Sequence, residues 1–407
     1  MAERIITPQG RGFLLFDAHP AGCARTIADM QDQVQPAPRP DGTGPRPVAL
    51  VVGCSAGYGM AMTVAGIARH GISGVGVCLE RQPTHRRTAT AGWYRVGAAA
   101  KLAAQAGSDF SFINADAFAD ATKDQALGLI ADRFGRLDYL IYSVAAPRRA
   151  DAATGATYQS VIQPLGSACR TRTLSFDGGS PRLRDVTVEP ASAQQAADTI
   201  KVMGGEDWAL WVRAARASGL TGPGFATAAL SYIGSELTSA IYRDGTIGAA
   251  KEHLEGTAVE LDSWLREQGG RAVTSVNGAA VTQSSTAIPG IALYLSLLRE
   301  VLDGRMVAPA AQAASLWDQL TGLVPADVDE HGRIRLDRWE LDPAVQQEVA
   351  SRWAACDAGS LADLADAGWF RAEVMRLYGF EVAGVDYGLP CEPDLPWPGG
   401  PAVAGPG

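Results

Sequence analysis

Lysine is nearly absent: Lys101, Lys123, Lys201 and Lys251 stand beside 31 arginines. Where a plain surface cation is wanted this chain uses arginine, so a lysine inside a motif marks a place that needs a compact ammonium. Histidine is also sparse, with five residues, and the six cysteines (Cys23, Cys54, Cys78, Cys169, Cys356, Cys391) are dispersed. They form no CxxC pair and no Cys/His set at zinc spacing, which argues against a metal site and a disulfide framework. A reduced cytoplasmic location is the default for such cysteine usage. Positive charge is in deficit, the formal net charge being −9. That gives no general attraction to phosphate backbones or anionic membranes and argues against nucleic acid as a partner. No apolar run is long enough to span a bilayer, and MAERIITPQGRGFLLFDAHPAGC (1–23) lacks the basic start and apolar core of a signal peptide.

What is present is an ordinary globular balance, 47% hydrophobic and 19% charged residues in 407. After a proline-rich polar stretch (30–46) the texture changes. PVALVVG (47–53) reads as a buried strand, and a helical pattern from Gly59 to His70 follows at once. GVGVCLE (74–80), an Ala-rich helix near 97–106, FSFIN (110–114), a helix near 119–134 and LDYLIYSVA (137–145) continue the alternation. Strands separated by helices in this rhythm predict an α/β fold with a Rossmann-type, doubly wound parallel sheet. RDVTVEP (184–190), GFATAALSYIG (224–234) and RAVTSVN (271–277) are further candidate strands, and 289–380 reads as mostly helical. The expected organisation is a single Rossmann-type domain over 1–390 with inserted elements, and 391–407, rich in proline and glycine, as a disordered tail.

GCSAGYG (53–59) lies between the first strand and its helix. Glycines there allow a tight turn and close approach to a pyrophosphate, whose charge meets the helix N-terminus. Gly53, Cys54, Ser55, Ala56, Gly57 and Tyr58 are therefore candidate cofactor residues, Ser55 as a phosphate-directed hydroxyl and Tyr58 as an aromatic surface near the adenosine. Glu80 ends the second strand, placed to accept from ribose hydroxyls and repel a 2′-phosphate. That favours NADH over NADPH, although Arg81, Arg86 and Arg87 follow closely. Asp116 is positioned to meet adenine or to cap the next helix, and Val144-Ala145 lets the cofactor's second half pass near the backbone.

IYRDGTIGAAKEHLE (241–255) separates Tyr242 from Lys251 by eight residues. On one helix, at about 100° per residue, the two would lie on opposite faces. They converge only if Tyr242 precedes the helix. Asp244-Gly245 is a turn signal and Thr246 a suitable N-cap, with helical periodicity from Ile247 to about Gln268.

These motifs resemble the trans-2-enoyl-CoA reductases and the V-type enoyl-acyl-carrier-protein reductases. The likeness runs from RGFLLFDAHPAGC (11–23) to GFEVAGVDY (379–387), through GCSAGYGMA, TAGWY (90–94), MGGEDWALW (203–211), SYIGSEL (231–237), VTQSSTAIP (281–289) and DRWELDPAVQ (337–346). The resemblance implies a monomeric Rossmann-type reductase using NADH to saturate the 2,3 double bond of a trans-2-enoyl thioester of CoA or acyl-carrier protein, in fatty-acid or related acyl-chain synthesis. It implies Tyr242 as proton donor, Lys251 as ribose ligand and charge stabiliser, and Tyr232 at the substrate. Leu79-Glu80, Asp116-Ala117 and Ala280, Val281 and Thr282 would complete the cofactor site. Departures lie at Thr238-Ser239-Ala240, where the family often has Thr-Trp-Pro, and at Ala249 and Gly278, where it often has lysine. Two other readings are a short-chain-type dehydrogenase or ketoreductase and a non-catalytic NADH-binding protein. The first is disfavoured because that group spaces its tyrosine and lysine one helical turn apart. Trp208 and Trp211 read as core, His19 and Cys23 as structural, His85 as a loop residue, and Arg148-Arg149 as either a phosphate contact or a solvated loop.

Overall fold

VALVV is buried at every position, the mark of a strand covered on both faces. In the computed structural model, which describes residues 3–37, 46–177 and 179–399, it is the centre of a seven-stranded sheet. In chain order the strands are β1 (Val48–Val52), β2 (Ser73–Cys78), β3 (Phe110–Asn114), β4 (Leu137–Tyr142), β5 (Thr221–Ser231), β6 (Arg271–Val276) and β7 (Ile334–Arg335). They lie in the order β7-β6-β5-β4-β1-β2-β3 and every pairing is parallel. The doubly wound expectation holds. The order reverses between β1 and β4, where such sheets open a crevice at the carboxyl ends of their strands.

The pleat sorts the core. Ala49 and Val51 face one layer with Ile141 and Ala228; Val48, Leu50 and Val52 face the other with Leu140 and Tyr142. The first layer holds α1 (Pro20–Asp32), α2 (Gly57–Ala65), α3 (Ala91–Gln105) and a later helix, Pro309–Leu320. The second holds α4 (Asp120–Phe134), α6 (Glu206–Ala217), which follows α5 (Ala193–Met203), and α7 (Thr246–Arg266). Trp208 and Trp211 are fully buried here, as expected of core residues. A third apolar cluster sits beyond the sheet, around α8 (Ile291–Val301) and, after α9 (Pro309–Leu320), α10 (Pro343–Ala355) and α11 (Ala367–Arg376).

Several expectations are corrected. RDVTVEP does not join the sheet: Ser180–Val188 pairs antiparallel with Cys169–Asp177 in a separate hairpin. The short edge strand β7 lies inside the stretch expected to be helical. Residues 391–397, expected to be disordered, are instead held against Arg4, α3 and, through Trp397, the edge strand β3, while 400–407 lie outside the described residues. Cys391 exchanges backbone bonds with Arg4, Tyr94 Oη donates to Pro393 O at 2.7 Å, and Trp93 Nε1 donates to Leu395 O at 2.8 Å. The Trp397 indole, 7% exposed, packs edge-on to Trp93 and donates to Phe112 O on β3 at 3.0 Å. Edge strands need such covers. Trp397→Ala is expected to cost about 3 kcal/mol, read as a lower midpoint in urea melts with little change in catalysis.

Candidate active site

Because the sheet is parallel, loops far apart in sequence gather at one edge. The turn after β1 is built on Gly53, with φ +88, whose Cβ position lies 2.1 Å from Ser143 O; only glycine fits where the β1 and β4 loops touch. Gly53 and Cys54 both donate to Val77 O, and Gly57 begins α2, with no side chain capping the first turn. That leaves the helix's leading N–H groups for an anion. Thr282 stands against Gly57, its Cγ2 3.5 Å from a Cβ built there. The loop after β6 thus closes over the glycine turn. Val144 and the exposed Ala145 line the gap after β4, and Ala280 and Val281 lie half-buried beside Thr282.

After β2, Leu79 is exposed and Glu80 is tied down. Its backbone exchanges bonds with the Asn114 amide, at 2.6 and 2.9 Å, and its carboxylate accepts from Thr90 Oγ1 and Ser55. Burial pushes this carboxyl above its ordinary range, opposed by those two hydroxyls. Ser55 therefore serves the acid, where the sequence suggested a phosphate. Tyr58 is also redirected: its phenol donates to Gly278 O, on the β6 side of the site. Asp116 accepts from Phe118 N at 3.0 Å, a local turn contact, and Ala117 O accepts from Lys123 Nζ and Trp211 Nε1. Arg149 is not part of a solvated loop. It is buried and bonded to Lys201 O and Glu206.

The helix carrying Lys251 starts at Thr246, with Gly245 as its N-cap residue, one position earlier than expected. Thr246 Oγ1 is occupied elsewhere, donating to Val161 O at 2.5 Å. Tyr242 precedes the helix, held by a Gly248 N to Tyr242 O bond of 2.9 Å. Its ring is 7% exposed and packs edge-on against Tyr232 with centroids 5.2 Å apart. Lys251 is 9% exposed and donates to Leu230 O at 3.3 Å. Leu230 lies two residues before Tyr232, so the ammonium and the two tyrosine rings gather at the end of β5. Burial raises the Tyr242 phenol and lowers the Lys251 ammonium to about 8.

Sequence reasoning missed the floor of this site. Tyr232 Oη does not point free into the cleft. It donates to Glu340 Oε1 at 2.7 Å, as does Tyr294 Oη at 2.8 Å, and Ala279 N donates to Oε2 at 2.5 Å. DRWELDPAVQ was the available signal, without a role attached. Gly278 also gains a reason: a Cβ there would lie 2.6 Å from the Trp339 ring. The indole fills the place where a side chain at 278 would begin.

Comparison with known proteins is decisive at this point. The model for the trans-2-enoyl-CoA reductase catalytic region matches residues 87–320, and the NAD(P)H binding domain of trans-2-enoyl-CoA reductase matches 5–85. An enoyl-[acyl-carrier-protein] reductase [NADH] of Streptomyces avermitilis is 57% identical over 392 residues, covering 96% of this chain and 99% of the relative. The chain belongs to the trans-2-enoyl-CoA reductase family. A Burkholderia pseudomallei enoyl-[acyl-carrier-protein] reductase [NADH] is 41% identical over 96% of this chain and 98% of its own. The Clostridium acetobutulicum trans-2-enoyl-CoA reductase, solved in complex with NADH, aligns with a TM-score of 0.88 at 32% identity, covering 96% of this chain and 98% of that one. The Treponema denticola trans-2-enoyl-CoA reductase, in complex with NAD, gives 0.87 at 34% over 95% and 98%.

A third model, the enoyl reductase FAD binding domain, matches 328–390 of this trans-2-enoyl-CoA reductase family member. Those residues do not fit a flavin. Their one strand, β7, is followed by turns and not by a glycine turn into a helix. Their helices close on α8 through buried Val349, Leu361, Phe370 and Val374, an apolar packing with no polar groups offered to a flavin among these four.

Proposed function

We propose that this chain catalyses NADH-dependent reduction of the 2,3 double bond of a trans-2-enoyl thioester, with Tyr242 and Lys251 as its working pair. One observation carries the reading: Lys251 is anchored on Leu230 O while Tyr242 packs on Tyr232, so both groups flank the end of β5. The residues present fit NADH. Gly53 to Tyr58 supply the close-approach turn and helix start, Glu80 an acid at the end of β2, and Val144-Ala145 with 280–282 the two walls.

When bound, NADH supplies the hydride that reaches the β-carbon of the substrate. Negative charge then develops on the thioester oxygen, and the chain's own groups meet it. The Tyr242 phenol, kept protonated by burial, donates to that oxygen; the Lys251 ammonium stabilises the charge and holds the ribose. Both lie in a largely buried site, where such charges act more strongly than in water. Glu80 disfavours the 2′-phosphate of NADPH. Asp116 and Ala117 would border the adenine. Among the described residues no helix is long and apolar enough to cross a membrane. We extend the proposal to a cytoplasmic monomer serving acyl-chain synthesis, with CoA or acyl-carrier protein bearing the acyl group.

The test is NADH oxidation by purified protein with crotonyl-CoA and with a 2-enoyl-acyl-carrier protein, NADPH being the control. Turnover with NADH well above that with NADPH is expected. NADH binding without turnover of either thioester would leave only the cofactor half of the reading standing.

A further inference from the structure

We infer that Glu340 is a positioning residue of this reductase site, its carboxylate holding the Tyr232 phenol and the backbone at Ala279 so that Tyr242, and not Tyr232, presents a proton to the thioester. The inference rests on the reductase reading and deepens it. Glu340 is fully buried, and among the described residues it is part of no ion pair. A buried carboxylate without a cation is costly unless hydrogen bonds replace its water. Here the replacements come from three separate elements: Tyr232 after β5, Tyr294 on α8, and Ala279 after β6.

An apolar side chain of similar shape would fill the same space at less cost if filling were the only need. The acid does something an apolar group cannot. A phenol has one proton, and Tyr232 spends its own on Oε1, so its oxygen can only accept. Tyr232 is thereby removed as a rival donor, while its ring still supports Tyr242 edge-on. On Oε2 the same carboxylate fixes Ala279, the first residue of the 279–282 stretch whose Thr282 abuts Gly57. One side chain from the C-terminal part of the chain thus sets the acyl wall and the cofactor wall together. Gln346 buttresses it, donating to Glu340 O and to Tyr294 Oη at 2.7 and 3.0 Å.

The arrangement depends on the charged form. The groups facing the carboxylate are Tyr232, Tyr294, Tyr242, Tyr58 and Asp337, with Gln346 and the Ala279 amide; none is a cation. Burial pushes Glu340 up to about 7, while the bonds from Tyr232, Tyr294 and Ala279 pull it down. Once protonated, the acid becomes a donor itself, and one phenol must turn its proton elsewhere. Activity therefore falls as pH drops through the Glu340 titration.

The experiment follows kcat and KM for crotonyl-CoA, and NADH affinity by tryptophan fluorescence, as functions of pH in the full chain, in Glu340→Gln and in Tyr294→Phe. Wild type is expected to lose kcat on the acid side with an apparent pKa near 7. Glu340→Gln should abolish that limb and lower kcat between about 10- and 10²-fold, with a smaller loss of NADH affinity. Tyr294→Phe touches neither substrate nor cofactor but deletes a donor to the ionised acid, so the limb should move to higher pH. Glu340→Gln with wild-type kcat and an unchanged limb would overturn the inference, as would an unmoved limb in Tyr294→Phe. The second variant decides alone if the first does not fold. Should wild type reduce no thioester, the reductase reading fails; the tie to Ala279 is then judged by whether the pH dependence of NADH affinity shifts in Tyr294→Phe.

Discussion

Tyr242→Phe is expected to lower kcat by about 10²–10⁴-fold with the fold intact. The ring contact with Tyr232, 5.2 Å between centroids, survives the change, so only the donor to the developing enolate is lost. Steady-state NADH oxidation with crotonyl-CoA reads the loss, and thermal melting checks the fold. A variant that turned over at the wild-type rate would mean that the proton comes from another group. The companion change, Lys251→Met, removes the ammonium that stabilises the same charge. Burial lowers that ammonium to about 8, so it is charged below this value and neutral above it. Activity should accordingly decline as pH rises through about 8, and this alkaline limb should vanish in Lys251→Met. With the acid limb assigned to Glu340, the wild-type profile is a narrow bell whose apparent values belong to the coupled site as a whole.

Gly53→Ala is the second large effect. At φ +88 an L side chain is strained, and its Cβ would lie 2.1 Å from Ser143 O and 2.6 Å from Ser143 C. Neither is the movable end of a side chain, so the β1 and β4 loops must part at the switch point of the sheet. A stability loss of roughly 3 kcal/mol is expected, together with loss of measurable NADH binding in titrations that saturate the wild type. Gly59 is under the same constraint, a Cβ there lying 2.0 Å from Gly53 O. Retention of full NADH affinity in Gly53→Ala would show that the turn relaxes more freely than its contacts suggest.

The strand, glycine turn and helix proposed to meet the cofactor were legible because their signals are local. A buried apolar run ending in glycines, followed at once by a helix, is written within a dozen residues, and the parallel sheet then gathers the other strand ends automatically. That Tyr242 precedes the helix carrying Lys251 was legible in the turn signal between them. Glu340 was not legible in the same way: its partners lie 108, 61 and 46 residues away, and an acid in DRWELD reads as an ordinary surface charge. Tyr58 and Ser55 were placed in the right turn, yet their hydroxyls answer to Gly278 and Glu80, which local spacing does not encode. Arg149 misled because arginine pairs with a neighbouring helix start as readily as with a phosphate. The tail misled through composition. Proline and glycine forbid regular structure there, but a single tryptophan with a carbonyl to bond is enough to pin an irregular strand to a sheet edge.

The burial of Lys251 has a chemical consequence in a chain with four lysines. Lys123 is buried and bonded to Asp207, and Lys201 is paired with Glu206, which leaves Lys101 as the exposed lysine without such a contact among those described. Near pH 8 a lysine lowered to about 8 is half neutral. A small acylating or Schiff-base reagent admitted by the cleft would therefore modify Lys251 out of proportion to its exposure. Peptide mapping of that one adduct, with and without NADH, would turn a scarce amino acid into a direct gauge of cofactor occupancy.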